Sequence, residues 1–113
     1  MRCGEIILLE YPFTDDSGSK WRPALIVSAE RFNQGEDVVV VPISSRLPDD
    51  DRYEYVVRRD DEYFDQTGLR FPSSIKWTKP LTISQRLAKR RLGALPGAPL
   101  SAIIEHLRSM FEC

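Results

Sequence analysis

The chain has 113 residues, 16 of them Lys or Arg and 17 Asp or Glu, for a formal net charge of −1. With 42% hydrophobic, 10% aromatic and 29% charged residues, it reads as one soluble globular domain, residues 1–113, that needs no metal or disulfide staple. Those numbers exclude a disordered chain; no run nears the roughly 20 apolar residues of a membrane span, and the charge balance argues against coating nucleic acid non-specifically.

The first residues lead straight into a strand-like run, without the h-region or small-residue cleavage site of a signal peptide, so the expected location is the cytoplasm. Residues 5–11 (EIILLEY) predict a strand that stops at Pro12. Residues 14–20 are small, polar turn formers and predict a loop longer than a minimal hairpin turn, of the kind that carries function. Residues 21–28 (WRPALIVS) predict a second strand. Pro23 has no N–H for a ladder, which sets that end at an edge or bulge. The apolar run 37–42 (DVVVVP) suits a buried central strand. A fourth strand is expected over 53–59 and a fifth over 74–77.

The period then changes. Residues 84–92 (SQRLAKRRL) predict a short helix, with Gly93 as its C-cap. Pro96-Gly97-Ala98-Pro99 breaks the chain. Leu100, Ile103, Ile104, Leu107 and Phe111 then recur at helical spacing and predict an amphipathic helix over 100–111. Strands first and helices last give an α+β class, mainly β, with an antiparallel sheet or small barrel packed by the terminal helix.

The near-zero net charge hides a local asymmetry. Residues 49–65 hold eight acids and three bases, a net of −5, whereas residues 70–91 hold seven bases and no acid, a net of +7. Taken alone, such runs read as two solvated faces of opposite sign.

Few residues point to chemistry. Cys3 and Cys113 make no CxxC or zinc spacing and read as free thiols. His106, the single histidine, has no HExxH or Cys/His cluster around it and reads as a surface or boundary residue. Neither GxGxxG nor a P-loop is present, so no cofactor and no metal is expected. What remains lies at strand ends. Arg22 precedes Pro23, and Ser44, Ser45 and Arg46 follow Pro42. If those two strands pair antiparallel, Arg22 and the serines share one end of the sheet. An arginine with hydroxyls suits a phosphate. On pattern alone the same residues read more readily as an edge arginine beside turn serines.

Several segments in order resemble the MazF/PemK-type toxins. Gly4-Glu5-Ile6-Ile7-Leu8, then Tyr11-Pro12-Phe13-Thr14-Asp15, then Arg22-Pro23-Ala24-Leu25-Ile26 match the opening of that family. Val41-Pro42-Ile43-Ser44-Ser45 resembles its V-x-P-[IL]-[TS]-S segment. Gly68-Leu69 through Ser73, Thr82-Ile83, and the stretch from Arg86 to Leu95 resemble its later motifs, so the likeness runs over nearly the whole chain.

The resemblance implies an SH3-like small antiparallel β-barrel of CcdB/MazF type, with a short helix and a C-terminal amphipathic helix, forming a homodimer. It implies the toxin of a type II toxin–antitoxin system, blocked by a cognate antitoxin. Such toxins are metal-independent, sequence-specific endoribonucleases (mRNA interferases) acting on single-stranded mRNA. Their 2′-hydroxyl attack leaves a 2′,3′-cyclic phosphate and a 5′-hydroxyl. The family's catalytic arginine falls on Arg22 and its catalytic threonine on Ser44, which keeps the hydroxyl and loses a methyl. Arg22 would stabilise charge on the phosphorane. As a proton donor to the leaving oxygen a guanidinium fits poorly, because it does not give up its proton in proteins. Ser45, Arg46 and Ser73 fall on substrate-binding positions. Many members carry an arginine where this chain has Leu81, and Lys79 is the nearby candidate to supply that charge. Trp21 and Trp77 read as barrel core or as base-stacking residues. The alternative function is non-catalytic: a CcdB-like gyrase-binding toxin, or an inactive member that only binds its antitoxin.

Overall fold

Two antiparallel strands, β1 (Glu5–Glu10) and β2 (Trp21–Ile26), start the sheet, in register from Ile6 opposite Leu25 to Glu10 opposite Trp21. The computed structural model describes residues 1–10 and 21–113. The expected loop at 14–20, the end of the first strand at Tyr11 and the motif Pro12-Phe13-Thr14-Asp15 lie outside the described residues. The chain continues through β3 (Asp37–Ser44), β4 (Tyr55–Val57), α1 (Phe64–Thr67), β5 (Ser73–Ile75), β6 (Leu81–Ser84), β7 (Ala88–Ala94) and α2 (Gly97–Met110). The strand order is β4-β5-β3-β2-β1-β7, with β6 also on β3, and every pairing is antiparallel.

Strand β3 organises the sheet. Val40 pairs with Ile26 of β2 on one edge and with Leu81 of β6 on the other. Strand β5 follows β6 along that second edge, with Ser74 opposite Ser44. Between them residues 76–80 bulge, and the Lys76 N–H donates to the Pro42 carbonyl at 2.9 Å. The expected mainly-β fold is present, but among the described pairings β4 and β7 remain free ends, so the barrel is open.

The unbroken apolar runs IILL and VVVV have a simple cause: both faces of the sheet centre are buried. Ile6, Leu25, Val41 and Ile43 face one cluster, completed by Val57, Phe64, Trp77 and Ile103. Ile7, Leu9, Ala24, Ile26, Val38 and Val40 face the other, completed by Ile83.

Several expectations need correction. Residues 84–92 are not a helix. They form the end of β6, a single 3-10 turn (Gln85–Leu87) and most of β7. Ser84 accepts from the Arg86 N–H, and the Gln85 amide donates to the carbonyls of Asn33, Gly35 and Asp37 at 2.7, 3.1 and 3.1 Å, pinning the turn. Strand β7 then satisfies the open edge of β1, with Leu8 opposite Arg90 and Ile6 opposite Gly93. Backbone pairing and tertiary contact override the weak helical preference of Leu, Ala, Lys and Arg. Gly93 is therefore a strand residue, not a helix cap.

The terminal helix starts at Gly97, before the expected 100. Pro99 sits in its first turn, where a missing N–H costs no hydrogen bond. Ile103 is fully buried, Leu100 and Leu107 pack on the first cluster, and Phe111 is exposed. The fourth strand spans only Tyr55–Val57, and the single turn of α1 has no strong sequence signal. Trp77 is core, and its indole stacks on the exposed His106 with ring centroids 4.7 Å apart. Among the described residues no helix is long and apolar enough to cross a membrane. Cys3 and Cys113 are free thiols, and burial pushes the Cys3 thiol up.

Candidate functional site

The first cluster is covered by α2 at one end of the sheet and uncovered at the other. There the face opens into a cavity of about 530 Å³, within the roughly 300–1,000 Å³ of small-ligand sites. Leu8, Pro23, Ile43 and Leu92 supply its apolar surface. Leu8 stands opposite Pro23 on one side and Arg90 on the other.

Arg22 and Ser44 meet at this end for the reason the pairing implied. The β2–β3 register ends at Ala24 opposite Pro42, so Arg22 and Ser44, each two residues beyond it, lie at the same end of the sheet. Both line the cavity, with Ser45 beside them. Ser44 Oγ accepts from the Arg46 N–H at 3.1 Å, which orients the hydroxyl and leaves its own proton for another acceptor. Arg22 and Ser45 are exposed and Ser44 is half-buried.

The far wall comes from residues 68–73. Thr67 caps this segment, its hydroxyl donating to the Phe64 carbonyl at 2.6 Å and accepting from the Leu69 N–H at 3.1 Å. Arg59 donates to the Arg70 carbonyl at 3.2 Å. Ser73 lines the cavity but is buried, and its hydroxyl donates to the Phe71 carbonyl at 2.7 Å. Its visible work is to hold the turn that presents Phe71.

The structure thus brings Arg22, Ser44, Ser45 and Ser73 together. Arg46 and Lys79 do not line the cavity, although Arg46 touches it through its backbone bond to Ser44. Leu81 pairs with Val40 and packs on the second cluster. Sequence reasoning missed Arg70, Phe71 and Arg90, which also line the site. Two of them were visible only as members of the basic run 70–91. Of the two readings of Trp21, barrel core or base-stacking residue, the core one fails, because the residue lines the cavity and is 47% exposed.

The electrostatics are one-sided. Arg22, Arg70 and Arg90 line the cavity, no carboxylate among the described residues does, and none of the three pairs with a described carboxylate. Among the described residues no three His, Cys, Asp or Glu side chains converge as a metal-ligand set. The acidic run behaves differently. Glu54 accepts from Ser74 Oγ at 2.6 Å and pairs with Lys76 Nζ at 3.1 Å, behind the site. The Ser74 hydrogen bond, with Lys76 and against some desolvation, holds the Glu54 carboxyl below its ordinary value.

A small antiparallel sheet with one terminal helix and an arginine- and serine-lined cavity at a strand end defines the class: a mainly-β domain with a cationic cavity. The family follows from comparison. The chain belongs to the PemK-like, MazF-like toxins of type II toxin–antitoxin systems, whose family model matches residues 2–111. Solved structures share the fold at low identity. The Mycobacterium tuberculosis toxin MazF-mt6 is 23% identical with a TM-score of 0.73, over 96% of each chain. MazF from Deinococcus radiodurans is 17% identical with a TM-score of 0.77, over 100% of this chain and 97% of that one. An endoribonuclease from a mycobacterial species, solved in complex with its cognate antitoxin, is 15% identical with a TM-score of 0.72, over 97% and 96%. No curated protein sequence matches the chain.

Proposed function

We propose that this toxin is a metal-independent, sequence-specific endoribonuclease that cleaves single-stranded mRNA within the Arg22–Ser44 cavity. The observation that carries it is the convergence of Arg22, Arg70 and Arg90 with Ser44 and Ser45 on one cavity, with no carboxylate among its described lining residues. A polyanion is attracted to such a surface, and a dianionic phosphorane gains more from it than a phosphodiester monoanion. The 2′-oxygen attacks the adjacent phosphorus and the bond to the 5′-oxygen breaks. The 2′-hydroxyl gives its proton to water and the 5′-oxygen takes one from water, so the step balances. The products are a 2′,3′-cyclic phosphate and a 5′-hydroxyl. Arg22 stabilises the charge on the phosphorane, and Ser44 donates to a non-bridging oxygen. Ser45 and Ser73 shape the binding site. Arg46 and Lys79 attract the RNA backbone from outside the cavity.

Membership of a toxin–antitoxin family, and a structural neighbour solved with its cognate antitoxin, support an antitoxin as the second partner. A homodimer is part of the same proposal, combining two copies of the site.

One observation favours a second reading, a non-catalytic toxin: Leu81 is packed in the core where many members carry an arginine. Purified protein incubated with a long single-stranded RNA in EDTA separates the two. Discrete cuts lost on Arg22→Ala support the nuclease; intact RNA with inhibited gyrase supercoiling supports the alternative.

A further inference from the structure

We infer that Trp21 and Phe71 form an aromatic clamp that holds one unstacked base of the RNA, an assignment that rests on the endoribonuclease reading and names its base-positioning residues. Large aromatics are expected inside a protein, yet these two remain 47% and 59% exposed, and both line the same cavity. They reach it from separate elements, Trp21 from the start of β2 and Phe71 from the segment before β5.

Neither is a loose surface side chain. Trp21 is anchored in the β1–β2 ladder opposite Glu10, and Lys89 Nζ lies 5.3 Å from its ring centroid. The segment carrying Phe71 is tied by the Ser73 hydroxyl, by Arg59, and by the seat of Gly68 against Leu92. Aromatic surfaces fixed before binding lose little entropy when a ligand arrives.

The surroundings select the occupant. Arg22, Arg70 and Arg90 line the same cavity as the two rings, with no carboxylate among its described lining residues. Cations and exposed rings on one cavity fit a single-stranded nucleic acid, whose phosphates meet the arginines while a base meets the rings. Duplex offers no free base face to such a site. An acidic peptide bearing an apolar side chain shares part of this chemistry and is tested as the competing occupant.

The test uses a short fluorescent single-stranded 2′-deoxy oligonucleotide, which lacks the attacking hydroxyl, alongside its abasic counterpart. Trp21→Ala and Phe71→Ala should each weaken binding of the intact oligonucleotide about 5- to 150-fold, the range for one base–aromatic stack. Both should leave abasic affinity and the unfolding midpoint unchanged, and Trp21→Phe and Phe71→Tyr should restore most of the loss. Equal losses on intact and abasic strands, or none on either, would overturn the clamp while wild-type binding upholds the RNA reading. Losses confined to an acidic aromatic peptide, or a changed sedimentation state, would also overturn it. Wild-type protein that binds neither strand and cuts no RNA sinks the function and the clamp together.

Discussion

Gly68 and Gly93 lock the cavity wall to the sheet by backbone contact. A Cβ on Gly68 would overlap the Leu92 carbonyl group, at 2.6 Å from its carbon, and a Cβ on Gly93 would lie 2.6 Å from the Thr67 carbonyl oxygen. Gly68 also ends α1 in the left-handed region, at φ 71°. The segment that carries Arg70 and Phe71 therefore sits directly on β7, the strand that carries Arg90.

That contact sets the first prediction. Gly93→Ala should cost roughly 1–3 kcal/mol of stability by overpacking. Gly68→Ala should cost about 1–2 kcal/mol more, for its left-handed backbone. Urea unfolding of the two variants measures both, and variants as stable as wild type would show that the segment can move off β7.

Arg22 and Ser44 carry the second. Arg22→Ala should lower kcat/KM for RNA cleavage by roughly 10²- to 10³-fold, the loss typical of one charge-stabilising donor. Ser44→Ala should lower it roughly 10- to 100-fold, as a hydrogen bond to a charged group is lost. Ser44→Thr should keep the rate near wild type, since the hydroxyl remains. Single-turnover kinetics with each variant checks these values.

The strand ends were the legible part of the site. Apolar runs announced β1, β2 and β3, and antiparallel neighbours then had to bring Arg22 to Ser44. The opposite wall was illegible for physical reasons. Strand β7 is an edge strand whose residues 89–91 are basic and exposed. Without alternating burial, its Leu, Ala, Lys and Arg content reads as helix, which hid Arg90. Phe71 sits in an irregular segment whose shape depends on Gly68 meeting β7, a contact with no local signature. Phe111 misled in the other direction: helical spacing put it in the apolar stripe, but α2 ends at Met110 and Phe111 follows as its exposed C-cap.

Charge inside and outside the cavity should separate in salt titrations. Arg90→Ala should weaken binding of the 2′-deoxy oligonucleotide and lower its log–log salt slope by roughly 0.7 per lost phosphate contact. Lys79→Ala, outside the cavity, should change the slope by less than half of that. Equal effects from the two would show that Lys79 contacts a phosphate as directly as Arg90 and that the cavity is not the main phosphate site.

Glu54 makes stability depend on pH. Its folded carboxyl titrates below the ordinary 4.5, held there first by Ser74 and then by Lys76. The stabilisation is complete above that ordinary value and is lost as pH falls through the depressed folded value. Thermal unfolding should show Tm falling with acid in the wild type and falling less in Glu54→Gln. Parallel curves would remove Glu54 from the acid response.

The chemistry of the cut ends tests the central claim most directly. Mass spectrometry of a single-stranded RNA cleaved in EDTA should find a 2′,3′-cyclic phosphate on each upstream fragment and a 5′-hydroxyl on each downstream one. A single 2′-deoxy substitution at the cut position should abolish that cut alone. RNA left intact, or cut with equal ease at the 2′-deoxy position, would contradict phosphoryl transfer by the 2′-oxygen in the Arg22–Ser44 cavity.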